Sequence, residues 1–317
     1  MKPTIALFTG DPAGIGPELV EKLLADPATL AKADIVLIAQ RGALRVPEGV
    51  RWHAWEGLDA PGFERAQARQ DNGRFMLQGL AAGAALAHSG AADALCFAPL
   101  NKSALRAGGM HQEDELRWFA EFLGFDGVCG ELNVLENLWT ARVTSHVALR
   151  EVSALLTPQK VAEAIAMIRR SLTAAGKADP RLAVCGLNPH NGDNGNYGDE
   201  EGRIIEPGVR LAAAQGHAAD GPFPADTAFV RAIRKEGGYD GVVTMYHDQG
   251  QIAMKLMGFE RGVTVHGGLP IPITTPAHGT AYDIAGQGRA NPGAMANAFD
   301  LACRMGTSRR SSRPAAG

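Results

Sequence analysis

The sequence predicts an α/β protein whose parallel sheets are covered by helices on both faces, folded as two lobes around one central cleft. Three observations carry this. Short, continuously apolar runs alternate with longer stretches of helical period, the pattern of strands buried on both faces. The chain has 317 residues, 45% hydrophobic and 21% charged, which suffices for one large α/β unit or two lobes with their own cores. No linker composition separates autonomous parts, so lobes sharing a cleft fit better than independent domains.

The elements follow in chain order. Residues 4–8, 35–39, 94–98, 182–185 and 241–246 read as buried strands. Helices are expected over 17–24, 74–88, 116–123, 158–175 and 207–215, with a last helix over 293–305. Pro17 and Pro158 each have the fixed φ favoured at a first helical position. Residues 1–136 together with 286–306 are assigned to lobe one, and 137–285 to lobe two. Residues 307–317 are small and polar with three arginines, and read as a disordered tail.

Composition excludes several classes. The net charge is −3 and the pI about 6.3, so no basic stripe marks a nucleic-acid partner. No apolar run approaches the ~18 residues of a membrane span, and no signal peptide is visible, so a cytoplasmic protein is expected. Cys96, Cys129, Cys185 and Cys303 form no CxxC pair and read as small buried hydrophobes. The 39 glycines against 6% aromatics point to many tight turns.

Three histidines lie in dense polar settings at the ends of strand-like runs: Thr144-Ser-His146, Asn188-Pro-His190 and Met245-Tyr-His247-Asp-Gln-Gly250. Neutral imidazole is the commonest metal ligand. One divalent ion held between loops is therefore expected, with zinc, cobalt or magnesium as candidates. Asp248 would orient a ligand, accept a proton or form a turn.

The loop Gly10-Asp-Pro-Ala-Gly-Ile-Gly-Pro-Glu18 follows a strand and opens a helix. It lines the cleft as a turn or holds an anion on its amides. It is not Gly-x-Gly-x-x-Gly and lacks the downstream acid, so a Rossmann dinucleotide fingerprint is rejected. In the second loop, Asn191 to Gly198, Gly192 and Asn194 are cofactor-contact candidates. Lys102 and Lys255 are the cations expected to face the cleft.

These residues also carry a family resemblance. Ala98-Pro-Leu-Asn-Lys102, Thr144-Ser-His146-Val-Ala-Leu-Arg150, Cys185-Gly-Leu-Asn-Pro-His190, Gly221-Pro-Phe-Pro-Ala-Asp-Thr227 and His278-Gly-Thr-Ala281 join the first glycine loop and the 245–250 block, in order. With them the chain resembles the 4-hydroxythreonine-4-phosphate dehydrogenase family throughout, except for its tail. The resemblance implies a fold like that of isocitrate and isopropylmalate dehydrogenases, two α/β/α lobes, and a homodimer that completes the active site. It implies oxidation of a secondary alcohol with NAD or NADP, followed in the type enzyme by loss of carbon dioxide.

Carried over residue by residue, His146, His190 and His247 fall on the family's metal ligands and Lys255 on a substrate-binding lysine. His278 and Asp283 fall beside the expected nicotinamide site. Lys255 and Asp248 are assigned catalytic roles.

The pattern breaks at the substrate. His111-Gln-Glu-Asp-Glu-Leu116 replaces the family's Gly-His-Thr-Glu, Thr264 stands for Asn, and Ile273 for Arg. The substrate-contact candidates are therefore Lys102, His111, Glu113, Asp114, Lys255, Thr264 and Ile273. A lost arginine removes a bidentate anion receptor, and added acids repel phosphate. The resemblance thus carries the chemistry, an alcohol dehydrogenase acting on a polar hydroxy acid, but not the phosphate. Two other readings stay open: a dehydrogenase of cyclic dihydrodiol carboxylates, and a non-catalytic metal or small-ligand binding protein on the same scaffold.

Overall fold

A computed structural model describes residues 2–313, apart from the side chain of Phe259. The chain forms two compact units: Met1–Gly127 with Glu260–Gly317, and Val128–Phe259. The first stretch holds β1 (Thr4–Phe8), α1 (Gly16–Leu24), α2 (Pro27–Lys32), β2 (Asp34–Ile38), β3 (Arg51–Trp52), α3 (Gln70–Ser89), β4 (Ala94–Phe97), α4 (Lys102–Gly108) and α5 (Glu115–Phe122). The second unit holds β5 (Gly130–Leu135), β6 (Leu138–Arg142), α6 (Val152–Leu155), α7 (Pro158–Ala174), β7 (Leu182–Cys185), α8 (Glu206–Ala214), β8 (Asp220–Phe223), α9 (Ala225–Ala232), β9 (Gly241–Thr244) and α10 (His247–Gly258). The chain returns to the first unit with β10 (Val263–Gly267), β11 (Ile273–Pro276) and α11 (Gly293–Ser312). The mixed α/β class expected from the sequence is the one observed.

In the first unit the strand order is β3-β2-β1-β4-β11-β10. β1 runs parallel to β2 and β4, with Ile5 opposite Ile35 and Leu7 opposite Cys96. β11 lies parallel to β4, and β10 closes the row antiparallel to β11. Phe8, Phe75, Leu80, Leu95, Phe97, Phe119 and Ile273 form one apolar cluster. It joins the sheet to α3 and α5, because alternate strand residues face one side. α3 and α4 approach on glycine: a Cβ at Gly73 would stand 1.9 Å from the Ala104 carbonyl oxygen.

In the second unit the order is β5-β6-β9-β7-β8. β9 is parallel to both β6 and β7. All four residues of β9 and of β7 are buried, as the continuous apolar runs predicted.

Three expectations need correction. The lobe boundaries fall at 127/128 and 259/260, not at 136/137 and 285/286. Residues 260–285 carry β10 and β11, and β11 pairs with β4, so they complete the first unit's row of strands. Residues 307–312, expected as tail, continue α11. Their small polar side chains bond back along the helix: Thr307 Oγ1 donates to Cys303 O and Ser311 Oγ to Thr307 O. Arg309 donates to the carbonyls of Ala87 and Asp93, and Arg310 and Arg313 pair with the buried Asp93 carboxylate. The remainder of the expected tail, 314–317, lies outside the described residues. Among the described residues, no helix is long and apolar enough to cross a membrane.

Candidate functional site

β6, β9 and β7 are adjacent and parallel, and each runs at its carboxyl end into a loop bearing one predicted metal histidine. The space beyond the carboxyl ends of parallel strands is where α/β sheets place ligands, because loops from neighbouring strands converge there.

The loops after β6 and β9 are bolted together. Thr144 donates twice to Met245 O, from its backbone N at 3.1 Å and its Oγ1 at 2.8 Å. Arg142, with a nearly buried side chain, donates to Ser145 Oγ at 2.9 Å and Asn133 Oδ1 at 3.0 Å and pairs with Glu131. These bonds bring the rings of His146 and His247 to 5.6 Å between centroids. His247 opens α10, and its Nδ1 lies 2.7 Å from Asp248 Oδ1. Gln249 links the third loop, accepting from Met245 N at 2.7 Å and donating to Gly186 O at 2.8 Å.

His190 lies in an unusual turn. Residues 190–194 have φ of 53, 57, 75, 43 and 58°, all left-handed, and Gly195 follows at 93°. Left-handed backbone costs ~1–2 kcal/mol per L-residue, less for Asn and Asp, whose side chains bond locally. Asn191 Nδ2 donates to Pro222 O at 2.6 Å, and Tyr197 N to Gly192 O at 3.0 Å. Gly192 is required for space as well as φ: a Cβ there would stand 2.5 Å from Gly198 O. His190 is exposed, and it does not complete a three-histidine cluster with the other two. Within the second unit, no three histidine, cysteine or carboxylate ligand atoms of the described residues lie within 4.8 Å of one another.

The first glycine loop follows β1. Asp11 is fully buried. Its Oδ2 accepts from the Tyr282 hydroxyl at 2.6 Å, and its Oδ1 from Ala13 N at 2.9 Å and, at longer range, Asn72 Nδ2. Burial pushes the Asp11 carboxyl above the usual carboxylate range, against the pull of these donors. Burial and then the Asp11 acceptor raise the Tyr282 hydroxyl above the ordinary tyrosine range. Asp11 N bonds Pro99 O, Gly14 N bonds Asp11 O, and Ile15 N bonds Thr280 O. With Ala13 N also committed, the amides of Asp11, Ala13, Gly14 and Ile15 serve a tight turn, one of the two roles the sequence allowed. The same bonds join this loop to residues 280–282, next to His278.

The other candidates divide between the units. Lys102 is exposed at the start of α4, behind the Asn101 cap. His111 and Glu113 are exposed. Asp114 is buried and caps α5, accepting from Arg117 N at 2.9 Å. Thr264 is half-buried on β10, opposite Thr275. Ile273 offers nothing to a ligand: it is fully buried among Leu95, Phe97 and Phe119. Its assignment as a substrate contact is withdrawn, because its face of β11 packs on the apolar core. His278 is half-buried, with Nδ1 3.1 Å from Gly279 O, and Asp283 is exposed in the short turn Tyr282–Ile284. In the second unit, Lys255 is exposed on α10, Gly192 is buried and Asn194 exposed. Cys96, Cys185 and Cys303 are buried, with thiols pushed up to about 12 by desolvation, which removes them as nucleophiles at neutral pH.

Sequence reasoning missed Asp11 and Tyr282 as organising residues. Asp11 stood in a quoted block, but nothing in the sequence paired it with Tyr282.

Comparison with known proteins places the chain in a family. The family model described as "Pyridoxal phosphate biosynthetic protein PdxA" matches residues 21–302. A putative 4-hydroxythreonine-4-phosphate dehydrogenase 2 of Pseudomonas aeruginosa is 53% identical, over 96% of this chain and 97% of that protein. A D-threonate 4-phosphate dehydrogenase of Pectobacterium atrosepticum is 36% identical, over 96% of this chain and 100% of that protein. The crystal structure of 4-hydroxythreonine-4-phosphate dehydrogenase from Klebsiella pneumoniae superposes with a TM-score of 0.84 at 35% identity, covering 96% of this chain and 98% of that one. Isocitrate dehydrogenase from Methylococcus capsulatus shares the fold alone, at 17% identity and a TM-score of 0.50, over 97% of this chain and 88% of that one.

Proposed function

The chain belongs to the PdxA family of dehydrogenases, and from that premise we propose that it oxidises the secondary alcohol of a polar hydroxy acid with NAD or NADP, assisted by one divalent metal ion. The observation that carries the metal reading is the placement of His146, His247 and His190 at the carboxyl ends of three adjacent parallel strands, with two of the rings 5.6 Å apart. The donor chemistry fits such an ion. Imidazoles suit zinc or cobalt better than magnesium, which takes oxygen ligands. When bound, the metal would acidify the substrate hydroxyl and polarise the carbonyl formed, while the nicotinamide takes the hydride.

The chain's own residues would do the rest. Asp248 holds the proton on Nδ1 of His247 and so leaves Nε2 for ligation. Lys255 would hold the anionic end of the acid. His278, Asp283, Gly192 and Asn194 are the residues proposed to meet the cofactor. Where the alcohol lies β to a carboxylate, the keto acid formed would lose carbon dioxide. Three of the proteins named above carry 4-phosphate substrates in their names. The resemblance implies an arginine where this chain has Ile273, and Ile273 brings no cation to the site, which favours an acid with less negative charge. Losing a charge-assisted hydrogen bond costs ~1.5–3 kcal/mol, roughly one to two powers of ten in binding. A homodimer is proposed from the family resemblance.

The test uses the full-length protein, stripped by chelation and reloaded with zinc, cobalt or magnesium. Reduction of NAD and NADP is followed on a panel of hydroxy acids, their 4-phosphates and a cyclic dihydrodiol carboxylate. Turnover with zinc or cobalt, best on an unphosphorylated acid, is expected. No reduction on any member would leave a non-catalytic binding protein.

A further inference from the structure

The turn that carries His190 is held by a residue with no role so far. Glu201 is 4% exposed and opens a π-helical stretch, Glu201–Ile205, ahead of α8. Its Oε1 accepts from the backbone N–H groups of Leu187 and Asn188, both at 2.7 Å. Its Oε2 accepts from Asn188 Nδ2 at 3.0 Å. Asn188 Nδ2 also donates to Glu200 at 2.7 Å, and Glu200 in turn accepts from Ser153. Among the described residues, every donor on Glu201 thus belongs to the two residues that lead, through Pro189, into the left-handed run at His190. From the far side, a Cβ at Gly192 would stand 2.9 Å from Glu201 Oε2.

Two unfavourable features meet on these few residues: a carboxylate taken out of water, and a run of left-handed backbone that includes a histidine. A chain needs neither merely to pass from β7 to α8. Strained backbone persists only where its surroundings over-determine it, and it collects where geometry serves function. A π-helical turn is likewise frequent at functional sites.

We infer that Glu201 is the positioning residue of His190. Its carboxylate fixes the backbone at Leu187 and Asn188, so that the left-handed turn presents the imidazole in one orientation. The inference rests on the proposed metal role of His190. It makes Glu201 a determinant of metal affinity acting through His190 rather than by ligation.

A double-mutant cycle tests it, with zinc alone titrated calorimetrically into the metal-free full-length protein. The wild type, Glu201→Gln, His190→Ala and the double variant are compared. Gln keeps an oxygen for the two backbone amides but turns an amide N–H group toward Asn188 Nδ2. Glu201→Gln is expected to weaken zinc binding ~10–100-fold, the usual effect of losing a residue that orients a ligand. In the His190→Ala background the same change should have no further effect. If Glu201→Gln weakens binding equally in both backgrounds, its role is general to the fold and the inference is overturned. If His190→Ala weakens binding and Glu201→Gln does not, the inference fails while the metal reading stands. If His190→Ala itself changes nothing, the metal role of His190 fails and the inference with it. Should Glu201→Gln unfold the protein, Asn188→Ala, which leaves both backbone bonds to Glu201, replaces it in the same cycle.

Discussion

Asp11 has no exposed surface, yet it is the acid of a loop that would be expected to face solvent. Burial raises its carboxyl above the ordinary value, so the folded chain holds this proton more tightly than the unfolded chain. The stability this contributes is fully present below the unfolded value of ~3.9 and is lost as pH rises through the higher folded value. Asp11→Asn is neutral at every pH. The melting temperature of wild type relative to Asp11→Asn should therefore fall between acid and neutral pH, and parallel curves would rule out a raised Asp11. At His247 the relevant group is Asp248. Asp248→Ala removes the partner of Nδ1 at 2.7 Å. Zinc affinity should drop ~10-fold, at the lower end of such effects, because Asp248 is exposed. An unchanged zinc isotherm would show that the ring is oriented by something else.

α11 shows how an element can outrun its sequence signal. Its apolar period ends near Met305, and beyond it the chain looks like a solvated tail. The helix continues because Arg309, Arg310 and Arg313 supply what Asp93 and nearby carbonyls lack. Deleting residues 307–317 removes these donors and leaves the Asp93 carboxylate buried on Thr4 N alone among its described partners. A loss of ~2 kcal/mol or more is expected in urea unfolding; a full-stability truncation would return the segment to the status of a tail. β1, β4, β7 and β9 were legible because strands buried on both faces are apolar at every position. The β10–β11 hairpin was not, since β11's partner β4 lies far away in sequence. The three histidines were legible because each ends a strand-like run. The left-handed turn at His190 was not, because Gly, Asn and Asp hint at positive φ singly, as turn residues, and not as a run that takes in a histidine. Glu201 was hidden for a plainer reason: it follows Asp199 and Glu200, and three adjacent acids look alike until one is buried.

At the scale of the molecule, Leu256, Ile252 and Leu149 leave large apolar side chains in water, at 84%, 60% and 72% exposure. A proposed dimer that covers them would weigh twice 33.3 kDa by light scattering, and Leu256→Glu should weaken it. A stable, active monomer would refute the dimer. The chain's order in time has its own consequence. The second unit is one uninterrupted stretch, while the first is begun by residues 1–127 and finished by 260–317. On a ribosome, therefore, the unit begun first is finished last. β4 waits for β11 while the whole of the other unit is made, on the order of ten seconds at ~5–20 residues per second. During that interval Ala94–Phe97, apolar at every position, presents a bare strand edge of the kind that pairs with other chains. A fragment of residues 128–259 should unfold cooperatively when expressed alone, and a fragment of residues 1–127 should aggregate. Nascent chains halted before residue 273 should be rescued by a holding chaperone, and those released after α11 should not need one.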